Sequence, residues 1–231
     1  VYPSQQELDC NLLPDEIAII GKNISSLITV YCPNLKIILS PAFRFQNLLT
    51  PKLKKRATKS YTILVVLPLL KIDYNRILKL VDLAHSQISD CNLLIKIHPG
   101  SSHVLVLEKL NQYNLTNSRT NKNIDEALDC SNLVITSASS SALESIFSRK
   151  PTLMISNGYG LLKNPIPSDI ASELSSVCYD VNDIVSKVNY FKNLSQKELN
   201  DFKNLSNFNI SDYVERNTLF ASKSFLGLVQ T

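Results

Sequence analysis

Glycine accounts for only 5 of 231 residues, where an average composition would supply about 7%. No G-x-G-x-x-G and no G-x-x-x-x-G-K-[ST] run occurs, which excludes the dinucleotide fingerprint and the P-loop nucleotidases. Any nucleotide bound here must be held by something other than glycine. A second lack is a long apolar run. Nothing approaches the roughly 18 residues of a membrane-spanning helix, and the start of the chain has no signal-peptide pattern. A third is paired cysteine. The five thiols (Cys10, Cys32, Cys91, Cys130 and Cys178) are odd in number, widely spread and without a C-x-x-C, as expected of inert, reduced cysteines in a cytosolic compartment.

Histidine is scarce too. His85, His98 and His103 fall without carboxylate spacing, so neither a metal nor another cofactor is expected. A serine hydrolase would need G-x-S-x-G and a later histidine, and none lies beyond His103. The net charge of +4 is mild, and the cations are scattered apart from Lys52–Arg56. Nucleic acid is therefore not an expected partner, whereas an anionic ligand or peripheral contact with a membrane surface is compatible with this charge. Five N-x-[ST] sequons fit chance in a chain rich in Asn, Ile and Lys. The chain opens at Val1, without an initiator Met, and reads as a fragment or a processed segment.

What is present is 44% hydrophobic and 19% charged, a globular composition sized for one large domain or a domain and a half. Ile63–Leu67 is an apolar, β-branched run stopped by Pro68, the pattern of a strand buried on both faces of a parallel sheet. The period then changes to that of an amphipathic helix over Asp73–Ser89. Further strands are predicted at Leu93–Ile97, Leu133–Ile135 and Pro151–Ile155, and helices at Val104–Gln112, Ile124–Leu128 and Ala142–Ser148. This alternation means βαβ units, hence an α/β, Rossmann-like parallel sheet with helices on both faces. The expected organisation is a nucleotide-binding domain over 61–180, preceded by a linker over 51–60 and followed by carboxyl-terminal helices over 181–231. Those helices are Val181–Tyr190, Ser195–Asn204 and Ile210–Phe225, the last able to pack back across the molecule. Residues 1–50 hold one strand–helix–strand piece (Ile17–Gly21, Ile24–Tyr31, Leu35–Leu39), too small for its own core, and read as the tail of another α/β domain.

Open parallel sheets bind ligands at the carboxyl ends of their strands. Two polar clusters fall there. In Lys96-Ile97-His98-Pro99, the period of two puts Lys96 and His98 on one face, where His98 can donate to a phosphate or simply be satisfied by backbone. In Thr136-Ser137-Ala138-Ser139-Ser140-Ser141, hydroxyls and a helix N-terminus make an anion cradle without glycine. Ser141 and Glu144 also fit a capping box, which would leave Ser139 and Ser140 for phosphate. Glu144 and Gly158 are the candidates for nucleotide ribose and base.

Lys96–Pro99, then Asp129–Glu144, then Arg149–Ile155 together resemble the carboxyl-terminal, donor-nucleotide half of GT-B glycosyltransferases. The order of HP and Ser-Ser motifs is similar to bacterial sialyl- and polysialyltransferases, Kdo transferases and CDP-glycerol glycerophosphotransferases of surface polysaccharide synthesis. Leu13–Ile17, Gly21 and Pro41–Phe45 resemble the end of the amino-terminal domain of such enzymes. The resemblance implies a nucleotide-activated sugar as donor, CMP-sugar favoured over CDP-glycerol or UDP-sugar. His98 would ease departure of the nucleotide, with Ser139, Ser140, Thr136 and Lys96 around the donor phosphate. A glycan or lipid-linked acceptor would meet an amino-terminal domain that this chain mostly lacks, along with its acidic base. The implied location is cytoplasmic, at the inner face of the membrane. One competing expectation is a non-catalytic nucleotide- or glycan-binding module of the same fold; another is a different GT-B activity, a nucleotide-sugar epimerase or a heptosyltransferase, which would call for additional carboxylates near the cleft that the sequence does not convincingly offer.

Overall fold

The structure is a computed structural model that describes residues 5–46, 60–159, 164–166, 174–205 and 210–226. They form two compact units, one drawn from the first 51 residues together with 208–231, the other from 52–207. The expected linker and the Lys52–Arg56 cluster lie outside the described residues, Ser60 excepted.

The larger unit runs β3 (Tyr61–Val66), α3 (Lys71–His85), β4 (Cys91–Lys96), α4 (His103–Gln112), α5 (Ile124–Asp129), β5 (Leu133–Thr136), α6 (Ser140–Phe147), β6 (Thr152–Ile155), β7 (Ser175–Cys178), α7 (Val181–Asn193) and α8 (Gln196–Leu205). All five strands are parallel, in the order β4-β3-β5-β6-β7. The residues of β3 explain its central place. Ile63, Val65 and Leu67 pack with Ile77, Leu78, Val106 and Val188 of α3, α4 and α7. Leu64 and Val66 pack on the other face with Ala127 and Leu128 of α5. Each such buried side chain contributes about 1.5–3 kcal/mol of transfer free energy, so no position from Ile63 to Leu67 can turn polar cheaply.

Strand β7 escapes sequence reading because Ser175-Ser176-Val177-Cys178 has almost no apolar signal. Its place comes from pairing, Thr152 with Ser175 through Ile155 with Cys178. The scarcity of glycine also leaves its mark. The left-handed backbone positions Asn11, Asp90, Asn114 and Arg149 carry side chains, three of them the short polar residues that tolerate this region best.

The smaller unit contains α1 (Gln5–Asp9), β1 (Glu16–Ile19), α2 (Lys22–Tyr31) and β2 (Lys36–Leu39), with α9 (Ile210–Tyr213) and α10 (Leu219–Phe225). Strands β1 and β2 pair in parallel, and Lys36 Nζ lies 2.8 Å from Glu16 Oε2 across the pair. The single helix expected over Ile210–Phe225 is instead two short ones. Between them the Glu215 N–H donates to the Ile20 carbonyl, and the Glu215 carbonyl accepts from the Ala42 N–H. Backbone groups spent on these bonds are lost to a continuous helix. The close approach explains Gly21: a Cβ there would sit 2.1 Å from the Tyr213 carbonyl oxygen. Among the described residues no helix is long and apolar enough to cross a membrane.

Candidate functional site

Counted from β3, the strand order 2-1-3-4-5 reverses direction between β3 and β5. At such a switch point the flanking loops part and leave a crevice at the carboxyl ends of the strands. Thr136 closes its floor: fully buried, it donates from Oγ1 to the Val66 carbonyl at 3.1 Å. Its hydroxyl proton is therefore committed to the sheet. Ser139 Oγ lies 3.4 Å from Thr136 Oγ1, so these two predicted residues are brought together.

The predicted capping box is corrected. Ser139, not Ser141, is the N-cap of α6, with extended backbone (φ −140°, ψ 171°) and no capping bond from its side chain. Ser141 lies inside the helix, where its carbonyl accepts from the Ser145 hydroxyl at 2.7 Å. Helix formation starts two residues early because the chain turns directly out of β5. Capping boxes of this unit lie elsewhere, with Asn123 and Glu126 exchanging bonds at the start of α5 and Ser195 and Glu198 at the start of α8. Ser139 and Ser140 are half-buried beside the first N–H groups of α6, which no intrahelical carbonyl can reach. Glu144, 7% exposed, is buried on the same helix.

His98 sits in the turn after β4, half-buried, and accepts at Nδ1 from the Gly100 N–H at 3.0 Å. The backbone-satisfied reading therefore holds for one ring nitrogen. That bond fixes the neutral tautomer with the proton on Nε2, which is left as a donor. Lys96 ends β4, half-buried, and its carbonyl accepts from the Leu67 N–H at 2.9 Å. Ser101, in the same turn, has a buried hydroxyl without a partner among the described residues. Because β3 lies between β4 and β5, the two clusters stand about 10 Å apart at the level of the strands.

Gly158 follows β6 with φ +82°, and a Cβ there would lie 3.2 Å from the Arg76 guanidinium. Arg76, on α3, donates from Nε to the Ser156 carbonyl at 2.7 Å and from Nη2 to the Tyr179 carbonyl at 2.9 Å, tying the loops after β6 and β7 together. Sequence reasoning missed Arg76 because it looks like any polar residue of an amphipathic helix. Cys178 ends β7 fully buried, its thiol pushed up to about 12 by burial and by Asp183, and so held protonated. All five cysteines are free thiols. Among the described residues no three His, Cys, Asp or Glu side chains gather as a metal site.

In fold, the larger unit is an α/β, Rossmann-like parallel sheet flanked by helices, the architecture of GT-B carboxyl-terminal domains. No protein-family model matches the chain, and no curated protein matches its sequence. Solved structures do match. The structure of S. aureus MnaA with UDP superposes with a TM-score of 0.60 at 14% identity, over 94% of this chain and 61% of that one. A glycosyltransferase from Rickettsia africae ESF-5 gives 0.54 at 11% identity, over 99% of this chain and 67% of that one. The GtfA/B complex gives 0.54 at 13% identity, over 97% of this chain and 46% of that one. At these identities the likeness is one of fold, and the chain spans about 60% or less of the length of MnaA and GtfA/B.

Proposed function

We propose that this chain is the donor-binding part of a glycosyltransferase that uses a nucleotide-activated sugar in bacterial surface polysaccharide synthesis. The observation that carries the reading is the crevice at the β3/β5 switch point. There the half-buried Ser139 and Ser140 flank the N-terminus of α6, one strand away from a histidine whose Nε2 is a donor. Ser139, Ser140 and the α6 N–H groups hold the donor phosphate. His98 donates from Nε2 to the same phosphate as negative charge builds on it, which stabilises the transition state more than the ground state. Thr136 positions Ser139, Lys96 adds positive charge at the rim, and Glu144 and Gly158 flank ribose and base.

The HP and Ser-Ser motifs favour a CMP-sugar, while the UDP named in the MnaA structure brings a UDP-sugar forward. Calorimetric titration of the chain with CMP, CDP and UDP tests the reading. One nucleotide should bind, with affinity falling about tenfold in His98→Ala and in Ser139→Ala, the loss of one charge-assisted hydrogen bond. Unchanged affinity in both variants would refute it. Binding without sugar transfer by the longest form of the protein would favour the non-catalytic module.

A further inference from the structure

Helix α3 presents two faces. Tyr74, Ile77, Leu78 and Val81 enter the core, which leaves Asn75, Arg76 and Lys79 on another stripe. Facing that stripe are Lys109 and Tyr113 of α4 and Tyr159 after β6, and between them lies an open groove of about 490 Å³. Its α3 wall, from Ile72 to Lys79, is about 10 Å long, the reach of a short chain rather than of a single ion. The groove meets the strand ends only at its Gly158 side and runs from there along the helices.

Three properties of the lining select a ligand. Among the described residues the wall holds three cations and no carboxylate, and none pairs with Arg76, Lys79 or Lys109. Arg76 is rigidly placed by its two carbonyl bonds. Finally, Tyr113 packs on the core as a fixed wall while Tyr159 stands 68% exposed at the lip, so two rings border the cavity. Anionic groups for the cations and a ring for the tyrosines fit an acidic sugar.

We propose that this groove binds a short oligosaccharide bearing carboxylate or phosphate groups, at a site beside the strand-end crevice. Only the choice of a saccharide over other hydroxylated anions rests on the transferase reading. The test is titration of the full chain with tetragalacturonate, with maltotetraose as neutral control and an octauridylate as polyanion control. Tetragalacturonate should bind at millimolar concentrations or below and weaken as salt is raised. Affinity should fall about tenfold or more in Lys79→Glu/Lys109→Glu. The milder Lys79→Gln/Lys109→Gln should lose less, and it carries the test if charge reversal disturbs folding. Absence of tetragalacturonate binding, equal binding by both lysine variants and wild type, or equal or tighter binding of maltotetraose or octauridylate would overturn the proposal. Nucleotide titration of the glutamine variant separates the two readings: its nucleotide affinity should match wild type, while His98→Ala should leave tetragalacturonate binding intact.

Discussion

The two compact units are held together by different means. In the larger, five strands pair across 18 to 70 residues of sequence, and the sheet and its helices bury side chains such as Leu64, Ile135, Leu153 and Ile184, each 2% exposed or less. In the smaller, two four-residue strands keep most of their side chains exposed or half-buried. That unit is completed by backbone from the far end of the chain. Glu215 bonds to Ile20 and Ala42, and the Gln46 side chain donates to the Glu215 carbonyl and accepts from the Asn217 N–H. One unit rests on a buried sheet; the other adds to a few buried side chains, such as Ile28, Ala42 and Val214, hydrogen bonds between segments some 170 residues apart. Closing so long a loop costs entropy before any contact forms, so the smaller unit should be the later to fold and the first to open.

The largest expected effect breaks this contrast open. Gly21→Ala forces a methyl group into the Tyr213 backbone. It should cost the smaller unit about 3 kcal/mol or more, releasing residues 210–226 to fast amide exchange while β3–β7 stay protected. Equal loss of protection in both units would show that they are one cooperative body. Thr136→Val tests the opposite unit. It removes the buried donor to the Val66 carbonyl with little change in volume and should cost about 1–3 kcal/mol, read from denaturant unfolding. Gly158→Ala, at φ +82° and against Arg76, should cost about 1–2 kcal/mol, seen as a lower melting temperature of the larger unit alone.

The smallest effect is a pH slope. The Cys178 thiol is raised in the folded state to about 12 by burial, from about 8.5 when unfolded. Its contribution is therefore full below about pH 8.5 and is lost as pH rises toward 12, by at most about 1.4 kcal/mol per unit. Tyr61 and Cys91, also raised chiefly by burial, act in the same direction. Cys178→Ala should reduce the alkaline slope without abolishing it, and an unchanged slope would place the titration elsewhere.

Much of this was legible in the residues. The β-branched run at Ile63–Leu67, the helical period after Asp73 and the polar breaks at His98-Pro99 and Thr136–Ser141 announced a parallel sheet with polar strand ends. Burial imposes these patterns locally, so they survive in the sequence. The capping box failed because Ser141 and Glu144 keep the same spacing as the second and fifth residues of α6, and the exit from β5 decides where α6 starts. Ser175–Cys178 failed because a short, partly polar strand takes its identity from the partner it pairs with.

By itself the sequence determined the class of fold and the hydroxyl-rich character of the strand ends, since periodicity and composition are properties of neighbouring residues. Only the tertiary structure decided which of those polar groups are committed to the sheet. It committed Thr136 to Val66, set His98 Nε2 as the donor, gripped two loops with Arg76 and laid residues 214–218 against Ile20 and Ala42. Each of these is a hydrogen bond that becomes available only after distant segments have met, and no local pattern records its partner.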